Sequence, residues 1–254
     1  MATISVVLAT YNEEKKLKDC LDSVEGLADE IIVVDGGSQD ETVAIANQFK
    51  ARVVVTNNPP IFHINKQKAI DLATKEWVLQ LDADERLSDQ LAQEIKHTVS
   101  EKKNQKINGY WIARKNWFLG RFLMKGGQYP DYTLRLYRRG KGWLPQKSVH
   151  EQAVVGGQTK HLKNPLIHMA DISFSHYLFR FGRYTNLLAN EIRRNEEKRS
   201  LFVGLKYIVF LPIEWFLLTY LRHKGFMDSW QGFIFSFFSS LRFPVAYFKS
   251  FKNI

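Results

Sequence analysis

A chain of 254 residues, 45% of them hydrophobic, has enough material for one large core, or for one core and an appendage. Its single cysteine, Cys20, excludes an internal disulfide framework and reads as a small hydrophobe on the buried side of the first helix. The net charge of +10 is unevenly held: residues 1–100 carry 10 Lys/Arg against 17 Asp/Glu, and residues 101–254 carry 26 against 9.

A basic half of this kind suits nucleic acid, an anionic membrane or an acidic substrate. Residues 201–254 also hold 11 of the 18 phenylalanines. These aromatics lie in long apolar helical stretches. They do not alternate with polar residues as on a base-stacking sheet, which favours lipid and argues against a nucleic-acid partner. The apolar start at residues 4–9 is far shorter than a signal-peptide core and follows no positive stretch, so the catalytic part is expected in the cytoplasm.

In chain order, apolar runs predict strands near 4–9, 30–35, 51–55 and 76–81, with helices at about 14–25, 41–49 and 64–74. Three of these strands empty into polar turns. They are Thr10-Tyr11-Asn12-Glu13-Glu14, then Asp35-Gly36-Gly37-Ser38-Gln39-Asp40-Glu41-Thr42, then Leu81-Asp82-Ala83-Asp84-Glu85. In an open parallel sheet, ligands gather at the carboxyl ends of the strands. Two aspartates one residue apart on such a turn suit a divalent cation that clamps a diphosphate. Ser38 and Asp40 read as caps for the second helix, and Ser88 as the cap of a helix running to about residue 100.

Short strands follow at 108–115 and 132–138. Between them, residues 118–129 read as a loop with Gly120, Gly126 and Gly127, suited to an acceptor-side flap. Beyond His168 the pattern is helical: 175–199 amphipathic, 201–222 apolar and 226–250 aromatic. The expected organisation is an α/β nucleotide-binding domain over 1–170 and a helical region over 171–254.

The three motifs together resemble the family 2 glycosyltransferases with a GT-A fold, over residues 3 to about 90. Arg135-Leu136-Tyr137-Arg138 and Val149-His150-Glu151, with the aromatic tail, resemble a subgroup that includes lipopolysaccharide core glucosyltransferases. The resemblance implies a Rossmann-like, mostly parallel sheet with a helical, membrane-associating appendage. It implies an inverting enzyme that moves a sugar from a nucleoside-diphosphate donor, expected to be UDP-linked, to a lipid-linked saccharide such as lipopolysaccharide core. It also implies Mg²⁺ or Mn²⁺.

By the same resemblance, Asp35 accepts a hydrogen bond from the nucleotide base, and Thr10, Tyr11 and Glu13 line the other side of the slot. Asp82 faces the ribose and the metal's water shell, and Asp84 is the metal ligand. Lys66-Gln67 matches the family's Arg-Asn pair before a helix, keeping the charge and losing the planar fork.

Transfer of a sugar needs a cation on the departing diphosphate and a base for the acceptor hydroxyl. The family's late Glu-Asp pair is absent here. Glu151 is the nearest replacement, with Asp131 of Tyr129-Pro130-Asp131 as competitor and as a typical turn start. His150 is either a ligand of metal or diphosphate or a structural histidine. Arg135 and Arg138 pair with a phosphate or with carboxylates.

Residues 201–221 could cross a bilayer, but Lys206, Pro212 and Glu214 interrupt them. The expectation is two helices lying in the interface at the cytoplasmic face of a bacterial inner membrane, peripheral or monotopic. Arg193, Arg194, Lys198, Arg199, Arg222, Lys224, Lys249 and Lys252 would then sit near anionic head groups. The alternatives are a spanning hairpin, and a buried helical cap or dimer interface. Other function classes are a sugar nucleotidyltransferase, whose Gly-rich loop after the first strand is missing, and an inactive binding protein, against which Asp35, Asp82 and Asp84 speak.

Overall fold

The structure, a computed structural model, describes residues 2–101, 104, 106–146, 152–194 and 200–251. The chain divides into two compact units: Met1–Arg114 with Asp131–His168, and Lys115–Pro130 with Met169–Ile254. The glycine-containing segment expected as a flap therefore groups with the helices that follow the sheet.

The first unit alternates strand and helix as its apolar runs predict: β1 (Ile4–Thr10), α1 (Glu14–Asp22), β2 (Glu30–Asp35), α2 (Thr42–Gln48), β3 (Arg52–Val55), α3 (His63–Asp71), β4 (Trp77–Leu81). Next come β5 (Glu85–Arg86), α4 (Asp89–Ser100), β6 (Ile107–Phe118), β7 (Arg121–Phe122) and β8 (Asp131–Arg138), of which β7 and the end of β6 from Lys115 belong to the second unit. The unit closes with β9 (Gly142–Trp143), β10 (Val154–Val155), β11 (Gln158–His161) and β12 (Leu166–Asp171).

The main sheet runs β3-β2-β1-β4-β8-β6-β12-β5. β1 is parallel to β2 and β4, and β2 to β3, while β8 is antiparallel to both β4 and β6. Along β1, Ile4, Val6 and Leu8 join Leu17 and Leu21 of α1 and Leu91 and Ile95 of α4 in one core. Val7, on the opposite face, joins Ala69 and Ile70 of α3 and Val34 of β2 in another. Burial on both faces is why these strands read as continuous apolar runs. The loop turns are thereby left at one end of the parallel strands. As expected, Ser88 caps α4, its hydroxyl accepting from the Leu91 N–H at 3.2 Å.

The strand expected at 108–115 extends to Phe118, and Trp117 pairs with Phe122 of β7, which shortens the flap. Its remaining loop is tied down within the second unit. The Lys125 N–H donates to Asp228 Oδ2 at 2.7 Å, and the Gly126 N–H to the His223 carbonyl at 2.9 Å.

The second unit contains α5 (Phe174–Arg194), then a helical run Leu201–Arg222, then α8 (Ser229–Ser250). The run comprises α6 (Leu201–Leu205) and α7 (Leu211–Phe216), each followed by a wider i→i+5 stretch. The first of these stretches ends one residue before Leu211-Pro212, where proline has no N–H to offer the turn before it.

α8 is inside out. Its buried positions include Gly232, Ser236, Ser239, Ser240, Ala246 and Ser250, whereas Trp230, Phe233, Phe237 and Phe248 are exposed. Ser239, Ser240 and Ser250 donate to carbonyls three residues earlier, whereas the buried Ser236 hydroxyl has no partner among the described residues. Lys249, expected near head groups, is instead a bolt between helices: its Nζ donates to Thr185 Oγ1 and Asn186 Oδ1 at 2.7 Å each, and to the Gly182 carbonyl at 3.1 Å.

Candidate active site

The first two polar turns are sewn together. Asp35, fully buried at the end of β2, accepts from Thr10 Oγ1 (2.9 Å) and Ser38 Oγ (2.6 Å) through Oδ2. Its Oδ1 accepts from the N–H groups of Gly37 (3.0 Å) and Ser38 (2.7 Å). Gly37 sits at φ +84°, in the left-handed region that favours glycine, and so lets the turn fold back onto the carboxylate. Ser38 and Thr42 then accept from the N–H groups of Asn12 and Glu13, each at 2.8 Å. Asp40 accepts from Glu14 N–H at 3.1 Å and from the Thr42 N–H at 3.1 Å. Asp40 thus closes the turn ahead of α2, whose N-cap position falls to Glu41 with no side-chain cap bond, and Ser38 serves the first turn instead. Tyr11 remains 44% exposed at the mouth of this pair of turns.

The third turn carries the charge. It is closed by the Glu85 N–H donating to the Asp82 carbonyl, and by the Glu85 carboxylate accepting from the Asp82 N–H, both at 2.9 Å. Glu85 is fully buried and also accepts from Arg135 at 2.6 Å. Arg135 further donates to Asp82 Oδ2 (2.6 Å) and Gln80 Oε1 (2.5 Å). The open choice for this arginine resolves to carboxylates, and buried ones. Arg138 pairs with Glu76 at 2.6 Å and lies over the Trp77 ring.

Asp82 is claimed a second time, by Lys66 of α3, which is itself buried. Burial would raise the Asp82 carboxyl, but Arg135 and Lys66 outweigh it and hold it well below the usual carboxylate range. Asp84 is held differently. Its oxygens stand 3.6 Å from His168 Nε2 and 3.8 Å from Lys16 Nζ, at ion-pair distance and beyond hydrogen-bond distance. Burial is again opposed, here by His168 and then Lys16, and the carboxyl stays below its ordinary value. Nearby Glu13 is pushed up, first by burial and then by the charges of Asp84 and Asp82, against the pull of Lys16. Cys20 is buried as expected, and donates to the Asp82 carbonyl at 3.5 Å. Burial and the acidic turn push its thiol well up, which keeps that proton in place.

The sequence profile of glycosyl transferase family 2 matches residues 5–150. The chain belongs to glycosyl transferase family 2. It is 28% identical over 258 residues to the lipopolysaccharide core biosynthesis glycosyltransferase LpsC of Rhizobium meliloti (strain 1021), covering 94% of this chain and 91% of LpsC. An uncharacterized glycosyltransferase of Rickettsia felis is 26% identical over 246 residues, covering 92% and 84%. Among solved structures, the mannosyltransferase PcManGT from Pyrobaculum calidifontis, in complex with GDP-Man and Mn²⁺, aligns with a TM-score of 0.58 at 13% identity, over 99% of this chain and 88% of that one. TarS of S. aureus (residues 1–349) aligns at 0.50 and 14%, over 98% and 92%. These two likenesses are of fold, and the GT-A architecture expected from the motifs holds.

In this glycosyltransferase, Glu13, Lys66, Asp82 and Asp84 gather at one end of the parallel strands, with Thr10 and Asp35 locked to each other beside them. Gln67 is engaged elsewhere: its Nε2 donates to Asp71 and its Oε1 accepts from the Leu144 N–H, both at 2.7 Å. Asp131 opens β8 opposite Arg114 of β6, whose Nε and Nη2 donate to Asp131 Oδ2 at 3.0 and 2.7 Å. His150 and Glu151 lie outside the described residues.

Lys16, Glu85 and His168 were not assigned roles from sequence. β12 delivers His168, paired in register with Glu85 of β5. Nothing local in the sequence announces that pairing, since the two residues are 83 positions apart. Arg135 had a readable signal: an arginine inside Leu134-Arg135-Leu136-Tyr137, apolar on both sides, must find carboxylates if the strand is buried.

Among the described residues, no three His, Cys, Asp or Glu side chains converge as a protein-only metal cage. The donors present are one hard carboxylate, Asp84, with an imidazole beside it. That set fits a divalent cation whose other oxygens arrive with a diphosphate and water.

Proposed function

We propose that this family 2 enzyme is an inverting, metal-dependent glycosyltransferase. Its donor is a nucleoside-diphosphate sugar, UDP-linked by expectation, and its acceptor a lipid-linked saccharide such as lipopolysaccharide core. The observation that carries this reading is the division of labour in the Asp82–Asp84 turn. Asp82 is neutralised from within by Arg135 and Lys66, while among the described residues the oxygens of Asp84 have only His168 at 3.6 Å and Lys16 at 3.8 Å as charged neighbours. A carboxylate fixed by its neighbours but not consumed by them suits a ligand from outside. Likeness to LpsC over nearly the whole of both chains supports a saccharide acceptor.

Asp84 would hold Mg²⁺ or Mn²⁺, with His168 beside it, and the cation supplies positive charge to the departing diphosphate. Thr10, Tyr11, Glu13 and Asp35 border the nucleotide slot, where Asp35 acts chiefly by holding the Thr10 and Ser38 turns in place. Lys66, on Asp82, keeps a positive charge at the phosphate end. Gln67 supports this end from behind through its hold on Leu144. The acceptor hydroxyl attacks the anomeric carbon opposite the diphosphate and gives its proton to Glu151. The C–O bond to the diphosphate breaks as the new one forms, which inverts the centre. Asp131 is the weaker choice of base, because its cross-strand pairing with Arg114 already engages Oδ2. His150 is the second imidazole offered to cation or diphosphate.

The helical unit lies against the cytoplasmic face of a bacterial inner membrane, apolar side down. Support comes from the exposed Phe202 (73%), Phe210 (59%), Trp230 (56%) and Phe248 (58%), and from a run Leu201–Arg222 that is long and apolar enough to cross a membrane by composition. A water-soluble cap would turn these side chains inward. Alkaline carbonate should release the protein if the helices lie in the interface, and retention until detergent is added would mean a span.

The decisive assay supplies UDP- and GDP-sugars with Mn²⁺, Mg²⁺ or EDTA and follows hydrolysis and transfer. Cation-dependent turnover of one donor class supports the proposal. Equal turnover in EDTA would remove the cation, and mass analysis of lipopolysaccharide core from a deletion strain identifies sugar and acceptor.

A further inference from the structure

A cavity of about 180 Å³ opens inside the helical unit, at the Gly126-Gly127 turn, and it belongs to none of the motifs above. Its lining includes Gln128, His223 and Arg242, beside Trp215, Leu218 and Phe235. Its volume is well above what one water needs. The loop at its mouth is built to a tight tolerance: Gly127 has φ +75°, and a side chain there would meet His223 Nδ1 at 2.9 Å.

Arg242 is the unusual member. Its guanidinium carbon lies 4.2 Å from the centre of the Trp215 ring and 4.8 Å from that of Phe243. Among the described residues it has no carboxylate and no hydrogen-bond partner. Stacking on a ring face leaves the in-plane N–H donors of the fork still to be used. A cation in the wall of a cavity, with its fork donors unused, asks for an anion with several acceptor oxygens. The same unit also exposes Phe226, Trp230 and Phe233, apolar surface that suits acyl chains.

We propose that this cavity binds the phosphate group of an amphiphile, whether a membrane phospholipid or the phosphorylated saccharide of a lipid-linked acceptor. The inference rests on the membrane-facing reading of the helical unit.

The full chain, with UDP and Mn²⁺ present to fill the donor site, is titrated by calorimetry with three soluble probes. They are monomeric dihexanoyl phosphatidic acid, dihexanoylglycerol and a phosphorylated glucosamine disaccharide. A phosphate-bearing probe should saturate one site, and Arg242→Gln should weaken it about 10-fold or more, as losing a charged hydrogen-bond pair does. Arg242→Lys should fold, keep charge, and recover part of the binding. Dihexanoylglycerol should not bind. Saturation by phosphatidate alone assigns the lipid head group, and saturation by the disaccharide alone assigns the acceptor. Equal affinity of wild type and Arg242→Gln at unchanged Tm, or no saturation by either phosphate probe, overturns the proposal. Vesicle flotation separates the two readings. Lost flotation with Arg242-dependent binding intact would sink the membrane reading only, whereas retained flotation with Arg242-independent binding would sink this one only.

Discussion

Arg135 in the sheet unit is held by Gln80, Asp82 and Glu85, whereas Arg242 in the helical unit has two aromatic rings for neighbours and, among the described residues, no carboxylate. The same contrast runs through the apolar residues. Val6, Val33 and Leu79 of the strands are fully buried, while Phe233 and Phe237 of α8 are exposed above a buried face of Gly232, Ser236 and Ser240. The sheet unit completes its own electrostatics and core, so its acidic turn is preorganised before any ligand arrives. The helical unit leaves apolar surface and positive charge unmatched, and small residues at its contacts let the helices approach closely, as in membrane bundles. Under the proposed function, one unit is finished by a small ligand and the other by a membrane surface.

The comparison can be broken most severely at the chemistry. Asp84→Ala should lower turnover by about 10²-fold or more at unchanged Tm, because it removes an electrostatic clamp. Retained activity of that variant in EDTA would end the assignment. Glu151→Gln should keep nucleotide binding while kcat falls about 10² to 10⁴-fold, with Asp131→Asn milder. A reversed order would make Asp131 the base.

Next in size is stability. Arg135→Met takes the closest cation from the fully buried Glu85 and leaves Asp82 with Lys66 alone, and breaking a buried pair in this way costs about 3–5 kcal/mol. Chemical denaturation should show that loss, and Arg242→Gln, with no partner to strand, should show far less. Comparable losses would erase the contrast between the units. A triple change of Phe202, Phe226 and Phe233 to Ser should leave the fold intact and lower partition onto anionic vesicles by at least about 10²-fold, given the worth of a buried phenylalanine. Unchanged partition would mean these faces meet protein.

The smallest effect concerns Glu13. Its folded pKa is raised, so the stability it contributes is complete below its unfolded value and is lost as pH rises through the folded one. Glu13→Gln should therefore raise Tm at pH 7, by an amount that shrinks towards pH 4. A Tm that falls at pH 7 would mean Lys16 dominates the site.

Much of the nucleotide end was legible in sequence. Continuous apolar runs placed β1, β2 and β4, and polar residues directly after them placed Thr10, Asp35 and Asp82 at the strand ends, because both are local properties of the chain. The roles within the turns were less legible. Ser38 reads as a helix cap, yet its hydroxyl donates to Asp35 and accepts from the Asn12 N–H, since which donor it meets depends on a loop 26 residues away. His168 was unreadable for the same reason, being brought to Asp84 by strand pairing across more than 80 residues.

By itself, the sequence determined which stretches are strand and helix, where the acidic turn falls, and that the second half is basic and aromatic. Periodicity, turn chemistry and composition are properties of neighbouring residues. Only the tertiary structure decided which carboxylate the Arg135–Lys66 pair claims, and which way the phenylalanines of α8 face. It decided as well that Lys249 is a bolt while Arg242, among the described residues, meets aromatic rings and no carboxylate. Each of these is a contest between partners far apart in the chain, and the winner is set by distance and burial once the chain has folded.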